Sequence, residues 1–192
     1  MPPGNIWLNW AVNNRDMELI PWNNRNLPFG RGLGEFPVLL ERLLGTPARL
    51  AHLAAHEPRE RLIMRRSGSW SVMEHIGHLL LLDERMEARV EDFMARRSEL
   101  CTIDLGDQTR LLNGHRSRDL GDLLEEFRLQ RVRLVARMEG MDPGALRHSA
   151  QHPCRQMKMR PVDMATYLAE HDDHHLASMR GILYHHRDLL SS

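Results

Sequence analysis

The sequence is short of lysine, cysteine and long apolar runs, and each shortage closes off a class of protein. Lys158 is the only lysine among 26 basic residues, which are balanced by 26 acidic ones. The arginines are scattered among the acids, so no basic patch is available for nucleic acid or an anionic membrane surface, and neither partner is expected. Two cysteines, Cys101 and Cys154, are too few for a disulfide framework and lack metal-site spacing. They read as unlinked thiols, which suits a reducing cytoplasm. The longest apolar run, Leu79 to Leu82, falls far below the roughly 20 residues of a membrane-spanning helix. No basic region leads into an apolar core at the N-terminus, so a cytoplasmic, unsecreted protein is expected.

What is present fits one domain: 192 residues, 42% hydrophobic and 27% charged. Residues 1–34 stand apart as an irregular N-terminal extension, punctuated by Pro2, Pro3, Pro21, Pro28 and the run Gly30-Arg31-Gly32-Leu33-Gly34. Trp7, Trp10 and Trp22 are too apolar for a freely solvated tail, so part of this segment is expected to pack on the domain or on a second subunit.

Residues 35–190 carry four helical stripes. The first, 35–57, uses Phe36, Leu39, Leu40, Leu43 and Leu44, breaks near Gly45-Thr46-Pro47 and resumes at Leu50 and Leu53. The second, 71–97, is capped by Ser69 or Ser71 and aligns Val72, Ile76, Leu79, Met86, Val90 and Phe93. The third runs from Asp119 to about Gly140 through Leu123, Phe127 and Leu134. The fourth starts at Pro161, suited to a first helical position, and continues through Val162, Leu168, Met179 and Ile182 to about 186. No alternating pattern argues for strands. The expectation is an all-α four-helix bundle whose long connections need not follow simple up-and-down order.

His171 and His175 lie one turn apart on the fourth stripe, in line with Met164, Leu168, Met179 and Ile182, and so face inward. Burying two imidazoles is unfavourable unless their nitrogens find partners, and one metal ion can satisfy a nitrogen on each. The second helix offers His75 or His78 as a third ligand; the helical wheel slightly favours His75. Gly77, beside them, costs about 1 kcal/mol relative to Ala and implies close approach of another helix or a ligand.

Two motifs resemble the DinB/YfiT-like family of metal-binding four-helix bundles. One is Trp70-Ser71, then Glu74 and His78-Leu79; the other is His171-Asp172-Asp173-His174-His175-Leu176. The resemblance spans about residues 36–186, including Leu39 to Leu50 and His152-Pro153. It departs at Ser178-Met179, where many relatives place a glutamine, and in residues 1–34. By position it implies His78, His171 and His175 as ligands, against the wheel's preference for His75, with His174 a neighbour.

Three neutral imidazoles leave an open position for water or a thiolate, the arrangement of catalytic sites. Zn2+ is the first expectation, with Ni2+, Fe2+ and Mn2+ compatible with imidazole ligands. Glu170, Asp172 and Asp173 flank the ligands; Asp172 and Glu170 are weak candidates for a catalytic role, solvated acids being the commoner case. The resemblance implies a metal-dependent enzyme acting on a small molecule, either a low-molecular-weight thiol S-transferase or a hydrolase. The alternative is a non-enzymatic metal-binding or dimeric interaction protein, and a homodimer is expected from the apolar bundle face and aromatic arm. His52, His56, His115, His185 and His186 read as surface residues, and His148 and His152 as loop residues near the last helix. Trp70 reads as packing at the mouth of the second helix, and the twelve methionines as core filler.

Overall fold

The computed structural model describes residues 19–65, 69–103, 112–154 and 156–190. Four long helices, α1 (Phe36–Ala54), α3 (Val72–Met94), α4 (Leu120–Glu139) and α6 (Pro161–Leu190), form a bundle. The connections hold two short helices, α2 (Arg59–Leu62) and α5 (Pro143–Arg147), and an antiparallel pair, β1 (Ala150–Gln151) with β2 (Lys158–Met159). Strands of two residues are too short to register as alternation, which is why the sequence gives no hint of them.

As expected for one helix over 35–57, α1 continues unbroken through Pro47, where the apolar stripe is interrupted. Proline lacks the N–H that would bond the carbonyl four residues back. That carbonyl, on Leu43, instead accepts from Arg131 Nη1 at 3.3 Å, so a side chain from α4 replaces the missing backbone donor.

Helix α3 begins with a capping box, in which Ser71 accepts from the Glu74 backbone N–H while the Glu74 carboxylate accepts from the Ser71 N–H at 2.8 Å. Arg65 also pairs with Glu74. Burial works against that carboxylate's charge, but the bonds from Arg65 and Ser71 prevail and hold it down at about 2. Asp119 caps α4. At the start of α6 Asp163 accepts from Arg160 N at 3.0 Å and from Gly30 N at 2.8 Å, which fastens the N-terminal segment to the bundle.

Each of α1 and α3 packs against both α4 and α6. Consecutive long helices α1 and α3 therefore sit diagonally across the bundle, a departure from up-and-down order. The apolar interior falls into two clusters, one built on Leu39, Leu43, Met86, Phe93 and Leu168, the other on Leu50, Ile76, Leu79, Phe127 and Met179. Between them on the helices lie Thr46, Asp83, Arg131 and Asp172, all fully buried. Arg131 bonds Asp83 through Nε at 2.6 Å and Asp172 through Nη2 at 3.1 Å, and Thr46 donates to Asp172 at 2.7 Å. One guanidinium thus ties all four helices together. Burial opposes its charge, yet the two carboxylates outweigh that and raise its pKa.

Gly77 meets His115, not another long helix: a Cβ there would come within 2.3 Å of the ring. His115 belongs to the 3-10 turn Gly114–Ser117 and is half-buried, which corrects its reading as a surface residue. His52 and His56 are exposed. Trp7 and Trp10 lie outside the described residues, as do the side chains of His185 and His186. Among the described residues no helix is long and apolar enough to cross a membrane.

Candidate metal centre

Helix α6 buries Met164, Leu168, Met179 and Ile182 along one stripe, and the same stripe carries His171 and His175 into the interface with α3. His78 faces them from α3. Its Nε2 lies 3.3 Å from His171 Nε2, which is 3.1 Å from His175 Nε2. Ligand atoms of these three buried histidines all fall within 4.8 Å of one another. A tetrahedral ion with nitrogen ligands at about 2.0–2.1 Å separates them by about 3.3 Å, which the His78–His171 and His171–His175 pairs match.

The chemistry of the donors fits as well. Burial pushes the His78 pKa down to about 4. Burial, reinforced by the neighbouring histidines, puts His171 and His175 well below the usual range. All three rings are therefore neutral at pH 7, with a lone pair to offer.

His75 does not join the triad. It stands behind it, its Nδ1 2.7 Å from His175 Nδ1. A neutral ring carries one N–H, so with Nε2 of His175 turned inward as acceptor its proton sits on Nδ1 and donates to His75. That bond fixes the orientation of His175, the service that a carboxylate or carbonyl usually performs behind a metal-binding histidine. The wheel preference for His75 detected a residue at the site but in the supporting layer.

Aromatic rings close around the triad. Trp70 lies 4.8 Å from His78 and 6.0 Å from His175, stacked on the latter. It packs at the mouth of α3 as expected, but against the histidines themselves. Trp22, from the N-terminal segment, meets His171 edge-on at 4.9 Å and Tyr167 at 5.4 Å. Tyr167 in turn stacks on His171 at 5.8 Å. Sequence reading missed Tyr167, although its place one turn before His171 was a usable signal. His174 lies half-buried beside Trp22, outside the triad.

The flanking acids are bound to arginines. Asp172 is fully buried, not solvated, and both of its oxygens are taken by Arg131 and Thr46. Glu170 pairs with Arg25 at 3.0 Å and Arg42 at 3.1 Å, and Asp173 with Arg42 and Arg49. Asp172 and Glu170, the weak catalytic candidates of the sequence, are thus both held in ion pairs with arginines. Cys101 and Cys154 are both free thiols, and burial pushes the Cys101 pKa up. His152 Nδ1 accepts from Cys154 N, and His148 Nε2 lies 2.6 Å from Arg97 O, which ties its loop to the end of α3.

The sequence profile of the DinB superfamily matches residues 42–179. Among solved structures, YfiT from Bacillus subtilis, described as a probable metal-dependent hydrolase with an unusual four-helix bundle topology, is similar with a TM-score of 0.71. Identity is 15%, over 82% of this chain and 91% of that one. A mycothiol-dependent maleylpyruvate isomerase is similar with a TM-score of 0.62 and 8% identity, over 78% of this chain and 61% of that one. At these identities the likeness shows the fold alone. No protein of curated function matches the sequence.

Proposed function

The chain belongs to the DinB superfamily, and on that premise we propose that it is a divalent-metal-dependent enzyme acting on a small molecule, with His78, His171 and His175 as the metal ligands. The observation that carries this reading is the convergence of three buried, neutral histidines, two of whose Nε2–Nε2 separations match tetrahedral coordination and all of whose ligand atoms lie within 4.8 Å of one another. Three protein ligands leave a coordination position open, as in catalytic sites. The ion would supply Lewis acidity there, activating a water or a low-molecular-weight thiol near pH 7. Zn2+ is the preferred ion on ligand chemistry, with Ni2+, Fe2+ and Mn2+ also suited to imidazole.

The chain's own residues prepare that position. His75 holds the Nδ1 proton of His175 and so keeps its Nε2 lone pair directed inward. Trp70, Trp22 and Tyr167 surround the histidines with apolar surface and limit the access of bulk water. Because the nearby carboxylates are held in ion pairs, the substrate proton must leave to solvent or to a histidine outside the triad. Two reactions suit this arrangement. Hydrolysis is favoured by the description of YfiT, and addition of a thiol sulfur to an electrophilic carbon by the mycothiol dependence of the second structure. We read residues 1–34 as an extension that supplies the Trp22 cap, and 35–190 as the catalytic bundle.

The test is a reaction panel on metal-loaded protein purified without a histidine tag. Low-molecular-weight thiols with monochlorobimane report transfer; aryl esters and amides report hydrolysis. We expect turnover in one panel, abolished by His171→Ala. A metal-loaded protein inert in both would favour the non-enzymatic metal-binding alternative.

A further inference from the structure

Among the described residues two arginines are almost wholly buried, and their surroundings are opposite. Arg131 is compensated by two carboxylates. Arg89, on α3, is only 5% exposed, yet no carboxylate among the described residues lies within ion-pair distance of it. Its single hydrogen bond is a long one, from Nε to the Cys101 carbonyl at 3.4 Å. The nearest acid in sequence, Asp92, is committed elsewhere, accepting from Cys101 N at 2.6 Å and pairing with Arg97 at 3.2 Å. Burial accordingly lowers the Arg89 pKa, the reverse of Arg131. Asp92 offsets this charge only from a distance, and a buried cation without an ion pair is an unfavourable arrangement that calls for a use.

The place of Arg89 suggests the use. It follows His78 by about three turns of α3 on the same helical face. Across the interface Tyr167 lies within electrostatic reach of the guanidinium, and its ring also stacks on His171. Tyr167 thus spans the space between the arginine and the histidine triad.

We propose that Arg89 anchors a carboxylate of the small-molecule substrate, holding one end of it at the α3–α6 interface while the reacting atom sits at the triad. The location rests on the metal-dependent reading above. A carboxylate fits better than a phosphate because the guanidinium fork matches two coplanar oxygens, and one positive charge balances one carboxylate but not a phosphate dianion.

The test uses the full chain and three probes: benzoate, its neutral isostere benzamide, and inorganic phosphate. Thermal unfolding is followed with metal and with EDTA. Benzoate is expected to raise the unfolding temperature saturably in the wild type, benzamide to leave it unchanged, and phosphate to act more weakly than benzoate. Arg89→Met should lose the benzoate effect, with affinity at least about tenfold lower, and without ligand should unfold at the same temperature or higher, since it removes an unpaired buried charge. Arg89→Lys should retain part of the benzoate effect. An equal benzoate shift in Arg89→Met, no shift in the wild type, stronger binding of phosphate, or a lower unfolding temperature of ligand-free Arg89→Met would each overturn the proposal. The benzoate shift is expected to persist in EDTA, so the anchor and the metal site can fail separately: a protein that binds no ion yet keeps the shift retains the anchor.

Discussion

At the scale of single residues, His75 and Gly77 make the account testable away from the triad itself. His75 contacts no ion in this reading and acts only through His175. Replacing it with Phe should weaken metal binding by about 10–100-fold while leaving the fold intact, and Asn, which keeps an acceptor, should restore part of the loss. Chelator competition measures the affinity and circular dichroism the fold; unchanged affinity in His75→Phe would remove its positioning role. Gly77→Ala sets a helix-propensity gain of about 1 kcal/mol against an overpacking cost of about 1–3 kcal/mol, because the added Cβ meets the His115 ring. The expected outcome in urea unfolding is net destabilisation that changes sign in a His115→Ala background. Stabilisation in both backgrounds would mean the close approach carries no energy.

At the scale of helices, two contacts hold elements in place. Arg131→Met leaves Asp83 and Asp172 buried without their cation and should destabilise the bundle by about 3–5 kcal/mol, measurable by urea unfolding. The cap of α3 imposes a pH dependence. Glu74 has a folded pKa of about 2 against an ordinary 4.5, so its contribution is complete above pH 4.5 and is lost as the pH falls towards 2. Wild type and Glu74→Gln should therefore differ in stability at pH 6, by at most about 3 kcal/mol, and converge near pH 2; a constant gap would contradict the assignment. The four helices were legible because each buries one continuous stripe, and His171 and His175 were legible because they sit on such a stripe. What sustains α1 at Pro47 was not, because the donor that serves the Leu43 carbonyl lies on α4, far along the chain. Periodicity put His75 slightly ahead of His78 because both are buried on α3; what separates them is the partner, His78 Nε2 meeting His171 Nε2 and His75 Nδ1 meeting His175 Nδ1.

At the scale of the whole molecule, the diagonal placement of α1 and α3 brings the N-terminal segment across α6 and Trp22 onto His171. The apolarity of Trp22 pointed to packing of this segment but not to its place, because its anchors, Asp163, Glu170 and His171, come from the other end of the chain. Trp22 and Trp70 both lie within 5 Å of a triad ring, so loading a paramagnetic divalent ion should quench tryptophan fluorescence, and Trp22→Phe and Trp70→Phe should each remove part of the quench. The metal-dependent reading rests on the three converging histidines. The most direct measurement is the metal content of untagged protein by elemental mass spectrometry, in the wild type and in single alanine variants of His78, His171 and His175. The account predicts about one divalent ion per chain in the wild type and almost none in each variant. A wild type without stoichiometric metal, or variants that retain it, would contradict the account.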